Sequence, residues 1–178
     1  MEYVVLGLLM IQNLTLYKLN QAFKQGISMF YSASYGSLQA AVKGLLNKEW
    51  IIFTERVENG RNQKVYNIMP DGREAFVQWM LDEIPPSKLE VTALAKVYFL
   101  GLLPSVEQKR MVVQEILDKI EQGQNELEQI DAALSQAAVP EVYRPILKYQ
   151  VKTLDYGLQS HRQAKEWFQT LLEELDAE

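Results

Sequence analysis

The spacing of apolar residues changes repeatedly along this chain, and each change marks an element. Tyr3–Ile11 (YVVLGLLMI) is apolar nearly all round, which predicts a helix covered on more than one side. Leu14-Thr15 opens a second, amphipathic helix, with Leu16, Leu19, Ala22 and Phe23 inward, Lys18, Gln21 and Lys24 outward, and Gly26 as its stop. Ile27–Ala33 reads as a loop into a third helix, Ser34–Lys48 (SYGSLQAAVKGLLNK), which is expected to end near Glu49-Trp50. At 100° per residue Leu38, Ala41, Val42 and Leu45 share one side of it, with Tyr35 and Leu46 at the edge. The opposite side carries Gly36, Ala40, Lys43, Gly44 and Asn47, flanked by Ser37 and Gln39.

That outer side is short of bulk. A solvated face is ordinarily filled with Glu, Lys and Arg, and two glycines weaken a helix by roughly 1 kcal/mol each. Gly36, Ala40 and Gly44 recur every four residues, so the small positions form a strip along which another molecule can approach the backbone. Ser34 is a candidate N-cap, leaving amide groups near Ser37 as a seat for a phosphate. A poorly optimised surface helix is the bland reading of the same residues.

After Trp50 the period drops to two. Ile51–Thr54 and Lys64–Ile68 are β-rich runs separated by Glu58-Asn59-Gly60-Arg61-Asn62, and Asn-Gly is a strong hairpin signal. Pro70-Asp71-Gly72 closes the second strand, and helical spacing returns from Arg73 to Leu81. Three helices, a two-stranded hairpin carrying Arg56, Arg61 and Lys64, and a fourth helix describe a winged helix-turn-helix. In that arrangement the third helix enters the major groove and the hairpin tip meets the adjoining DNA backbone.

Ile84-Pro85-Pro86-Ser87 breaks the fourth helix and is the expected boundary between a winged-helix domain, 1–84, and a helical domain, 88–178. Leu89–Leu103 is strongly apolar and ends at Pro104, and Ser105-Val106-Glu107-Gln108 reads as a capping box. A heptad follows through Val113/Ile116, Ile120/Gly123, Leu127/Ile130 and Leu134/Ala137. After Pro140 a second runs through Val151/Leu154, Leu158/His161, Lys165/Phe168 and Leu172/Leu175, widened by Ala164, Trp167 and Leu171. Two such helices are expected to pack antiparallel and to leave apolar surface for a partner chain. The fold class is therefore mainly α, a winged helix with a two-stranded wing followed by a coiled-coil-like helical domain.

Composition narrows the chemistry. The 178 residues include no Cys and one His, which removes disulfides, thiol nucleophiles and cysteine-held metals. No Ser/His/Asp spacing, phosphate-cradling Gly loop or metal-ligand cluster is present, so no catalytic residue, metal or cofactor is expected. No apolar run approaches the ~18 residues of a membrane span. Met1–Ile11 lacks a preceding basic residue and a cleavage site, so it reads as a buried helix of a cytoplasmic protein without a membrane partner. Net charge is −5, but residues 1–80 carry eight basic and six acidic side chains against ten and seventeen beyond. The front half therefore tolerates a polyanion better than the back half.

The segments VLGLL, YGSLQAAVKGLLNKEWI and ENGRNQKVYNIMPDGREAF resemble the PadR family of bacterial transcriptional regulators. Its hallmarks are an ILGLL first helix, a GTLYPALKRLEEEGLI third helix and a wing ending RKYYRLTEEGREA. Gly36, Ser37, Leu38, Ala41, Lys43 and Leu45 keep the third-helix register, and Tyr66, Ile68, Gly72, Arg73 and Glu74 that of the wing. Gln39 stands where the family has Tyr, and Gly44 where it has Arg. LEVTALAKVYFLGLLP and TLDYGLQSHRQAKEWF resemble segments of the helical C-terminal dimerisation domain of its longer members, a looser match than the N-terminal one.

The resemblance implies a ligand-responsive, homodimeric repressor acting on an operator in double-stranded DNA. Its expected DNA-contacting residues are Ser34, Gly36, Ser37, Gln39, Ala40, Lys43, Asn47, Arg61 and Lys64. A small effector, aromatic or phenolic or of the multidrug type, is expected near Tyr98, Tyr156, His161 and Trp167, although aromatics at helical spacing are more often core. Gly123 leaves a gap on its seam that either admits a ring from the facing helix or helps form that pocket. The alternative reading is a winged helix that packs on another protein and binds little or no DNA.

Overall fold

The computed structural model describes every residue except Gly26, Phe30, Tyr31, Ser32, Asn59, Gly60, Pro86, Ser87, Lys88, Ala137 and Glu178, and the side chains of Met29, Glu58 and Arg61. The helix stop at Gly26, the Asn59-Gly60 turn, the Pro86-Ser87 part of the boundary and the seam residue Ala137 therefore lie outside the described residues. The elements run α1 (Glu2–Ile11), β1 (Leu14–Thr15), α2 (Leu16–Gln25), α3 (Tyr35–Asn47), β2 (Ile51–Glu58), β3 (Arg61–Ile68), α4 (Pro70–Leu81), α5 (Leu89–Tyr98), α6 (Val106–Gln136) and α7 (Arg144–Asp176). The result is the mainly helical winged-helix architecture that the periodicity implies.

The sheet has three strands, not two. β2 and β3 pair antiparallel from Ile51↔Ile68 to Glu58↔Arg61, and β1 adds Leu14↔Tyr66 and Thr15↔Val65 on the other edge of β3. Two residues between helices are too few for a periodic signal, so β1 could not be read from spacing. Thr15 also serves the following helix, its Oγ1 accepting from the Lys18 amide at 3.2 Å. Helix α4 starts at Pro70, earlier than Arg73, because proline suits a first helical turn whose amide has no partner.

Two compact units form: Met1–Asp82 with Glu90–Gln108, and Glu83–Leu89 with Lys109–Glu178. This differs from a division at 84/88. The segment containing α5 and a 3-10 turn at Leu100–Leu102 packs with the winged helix. Phe99 is the reason: its buried ring meets Phe76 edge-on at 5.7 Å and lies over Gly7 of α1. A Cβ on Gly7 would stand 2.7 Å from that ring, so α1 admits no side chain there. Lys96 of α5, 2% exposed, donates from Nζ to the Asp82 carbonyl and so serves the C-terminal end of α4.

In the second unit α6 and α7 are antiparallel. Arg110–Asp176 (3.0 Å), Glu121–Lys165 (2.8 Å), Gly123 against His161 and Leu127 against Gly157 descend on α7 as they ascend on α6. The seam is buried at Val113, Ile116, Ile120, Leu154, Leu158, Phe168 and Leu175, as the heptads imply. Ile130 departs from it and is exposed. A straight helix drifts ~20° per heptad from a 3.5-residue repeat, and two heptads after Ile116 that drift turns Ile130 off the contact side.

Helix α3 ends in a Schellman arrangement: the Glu49 amide donates to the Leu46 carbonyl and the Trp50 amide to that of Leu45, both at 3.1 Å. Glu49 consequently sits at φ 58°, a conformation that side chains with a Cβ resist. Replacing Glu49 with Gly is expected to stabilise the protein by about 1 kcal/mol. Replacing Gly7 with Ala is expected to cost about 1–3 kcal/mol through the Phe99 clash. Denaturant midpoints of the two variants against the parent measure both.

Candidate nucleic-acid interface

Helix α3 presents its two sides as the pattern requires. Leu38, Ala41, Val42 and Leu45 are buried, while Gly36, Gln39, Ala40, Lys43 and Asn47 are exposed. Gln39, which stands at the family's Tyr position, therefore faces solvent. Ser34 caps the helix, its Oγ accepting from the Ser37 amide at 3.1 Å. Ser37 returns a bond from its own hydroxyl to the Ser34 carbonyl at 2.7 Å. The Ser37 amide is thus already satisfied by the cap.

The strip of small residues is bare for only part of its length. A Cβ on Gly36 would meet nothing nearer than Ser34 Oγ at 3.7 Å, and Ala40 is exposed. Gly44 is different, because the Glu2 carboxylate of α1 lies directly over it. Glu2 is held there by Lys48, whose Nζ donates to Oε2 at 2.6 Å and also stands 4.8 Å over the Trp50 ring. Sequence reasoning missed both Glu2 and Lys48. No local pattern links residues 46 apart, and only the packing of α1 on α3 joins them.

On the wing, Lys64 is exposed and its Nζ lies 4.0 Å over the Phe53 ring. Phe53 in turn meets Tyr66 edge-on at 6.2 Å, so the lysine stem is anchored on an aromatic pair. Burial pushes the Tyr66 phenol pKa up, with Tyr35 adding to the effect, so its hydroxyl stays neutral. Arg56 is exposed and pairs across the hairpin with Gln63, one register position from the Glu55–Lys64 pair and so on the opposite face. The Arg61 side chain lies outside the described residues.

The four effector candidates divide between the two units. Tyr98 belongs to the winged-helix unit and is partly exposed. Tyr156 and Trp167, 74% and 51% exposed, stand on α7 eleven residues apart, about 16 Å along its axis. His161 is half-buried, with Nδ1 2.9 Å from the Gly157 carbonyl and its ring filling the gap at Gly123. That gap admits a ring from the facing helix, the packing reading of the two offered by the sequence. A shallow depression at the hairpin turn is lined by Leu134, Val139, Pro140, Arg144 and Leu147, and by none of the four. Among the described residues no group of three or more side chains could hold a metal, and no helix is long and apolar enough to cross a membrane.

A three-helix unit with a wing, followed in the chain by a long helical hairpin, defines the winged-helix fold class. Sequence comparison is consistent with this class. The chain is 25% identical over 109 residues to the negative transcriptional regulator PadR of Bacillus subtilis. It is 26% identical over 73 residues to a probable transcriptional regulator of Mycobacterium tuberculosis. These matches cover 60% and 40% of the chain and span 60% and 39% of the relatives' lengths. No family model matches. Solved structures similar to it include Bacillus subtilis PadR in complex with operator DNA, at 22% identity, 98% coverage of both chains and TM-score 0.47. Another is a PadR-like regulator of Bacillus cereus, at 25% identity, 98% and 94% coverage and TM-score 0.44. The chain is thus similar in sequence to proteins named as transcriptional regulators, one of them PadR.

Two substitutions test the outer face of α3. Ala40→Leu adds bulk to the open strip and is expected to abolish a DNA footprint while leaving thermal stability unchanged, since an exposed Leu costs little in a helix. Gln39→Ala is expected to relax preference at one base pair by ~1–3 kcal/mol and to keep non-specific affinity, as read by competition among operator variants.

Proposed function

We propose that this chain is a transcriptional regulator that binds double-stranded DNA through α3 and the wing, as a cytoplasmic homodimeric repressor. The observation that carries the reading is the exposed, low-bulk side of α3, on which Gln39, Lys43 and Asn47 border open backbone at Gly36 and Ala40. Such a surface lets a helix sit deep in a groove while side chains at its borders reach base edges. The Ser34–Ser37 turn and Lys64, with Arg61, supply backbone contacts in this scheme. The repressor half of the reading is supported by the name of the Bacillus subtilis relative.

Dimerisation is supported by a second stripe on α7. Ile146, Tyr149, Thr153, Tyr156, Ser160, Gln163 and Trp167 follow one another at alternating spacings of three and four, and Val142 stands just before the helix, in the 3-10 turn Glu141–Tyr143. All but the half-buried Ser160 are exposed, and five are large and apolar. They lie away from the seam used by α6, and a heptad stripe of this kind matches a facing helix. An aromatic effector would find Tyr156 and Trp167 on this same stripe, with His161 next to Ser160.

A protein-binding winged helix is the competing reading, favoured by the carboxylate of Glu2 beside α3. Salt separates the two. Affinity for DNA is expected to fall steeply between 50 and 200 mM salt, whereas an apolar protein contact is nearly insensitive. Ile146→Glu combined with Tyr156→Glu is expected to convert a dimer into a folded monomer in sedimentation, with DNA affinity reduced by the loss of the second half-site. A variant still dimeric would place the joint elsewhere.

A further inference from the structure

The ion pair over Gly44 is placed where a recognition helix and a DNA backbone would meet. Lys48 is the C-cap of α3, on the flank of the helix shared with Ser37 and Gly44. Lys43 and Lys48 are its two basic residues, and the second is engaged intramolecularly by Glu2. Neither partner is deeply buried: the side chains are 45% and 30% exposed. A pair this accessible is weak, of the kind that salt and competing anions open.

Gly44 makes the arrangement workable. Any side chain at that position would occupy the space of the Glu2 carboxylate and push it away from Lys48. The glycine costs helix propensity, and the return is close approach of a carboxylate to the backbone of α3. Glu2 is itself fixed by the burial of α1 from Val4 to Leu9 and by the stacking of its neighbour Tyr3 on Trp79 at 5.2 Å.

From this geometry we propose that Glu2 sets DNA affinity by competing with a backbone phosphate for Lys48. In the free protein the carboxylate holds the ammonium at Gly44. On DNA the lysine exchanges one oxyanion for another, so its phosphate contact contributes less than that of an unpaired lysine. Glu2 is a positioning residue in this scheme, and it touches no base. The proposal rests on the DNA-binding reading above.

The test is the salt dependence of binding to a random-sequence duplex by full-length protein, with Glu2→Gln, Lys48→Gln and the double variant. Each phosphate contact steepens the log–log slope by about 0.9, so one further contact widens the affinity loss between 50 and 200 mM salt about 3.5-fold. Glu2→Gln is expected to bind more tightly at low salt and to show that steeper slope. The double variant is expected to return to the parental slope, because the freed lysine is gone. A Glu2→Gln slope equal to the parent's overturns the proposal and leaves DNA binding itself intact. A steeper slope that persists in the double variant also overturns it, showing a general charge effect and no role for Lys48. Parent and variants that all fail to bind duplex overturn this proposal and the DNA-binding reading together.

Discussion

The placement of α1 is the constraint on which the winged-helix unit depends. Its run from Val4 to Leu9 is buried without a polar break, and Phe99 lies on it where Gly7 has no side chain. A helix this apolar has no solvent side to turn, so its rotation and depth are set by its neighbours. Once they are set, the N-terminal turn falls beside α3 and puts Glu2 over Gly44. The charge beside the candidate interface is therefore decided by packing about one and a half helical turns away.

The same constraint changes where the winged-helix unit ends. Helix α5 and the turn after it contribute Ala93, Ala95, Phe99, Leu100 and Leu103 to buried positions, and Lys96 closes the end of α4. A winged helix cut at the proline pair would expose Phe76 and the surface of α1 that Phe99 covers. The tail of the unit thus lies beyond the proline break that composition marks as a linker. The helical hairpin is organised by a different rule, a seam in which His161 fits the gap at Gly123 and Leu127 meets Gly157. Small residues there set how closely the two helices approach, and ion pairs such as Glu121–Lys165 flank the contact.

The functional reading rests on what α3 leaves open. Its outer face combines a deliberate lack of bulk with a few polar side chains, and the acidic balance of the rest of the chain keeps non-specific attraction to DNA low. A protein with this balance depends on shape and on a small number of charges. In the proposed function each of those charges has a disproportionate effect on affinity, and Lys48, paired with Glu2, is proposed to be among them.

Periodicity determined most of the architecture, because burying an apolar stripe at 3.6 or 2.0 residues leaves few alternatives to a helix or a strand. The buried side of α3, the existence of the β-hairpin and the paired seams of α6 and α7 were all legible on that ground, and the third-helix motif pointed to the outer face of α3. The sequence could not show β1, since two residues have no period. It could not show that α5 joins the winged-helix unit, because a proline pair marks a break in the chain and carries no information about which side the next helix packs on. Nor could it show whether His161 fills a gap or lines a pocket, a choice made by the facing Gly123. Above all it could not show Glu2 at Gly44. That contact joins residues 42 apart through the fit of one helix on another, and tertiary packing alone decides it.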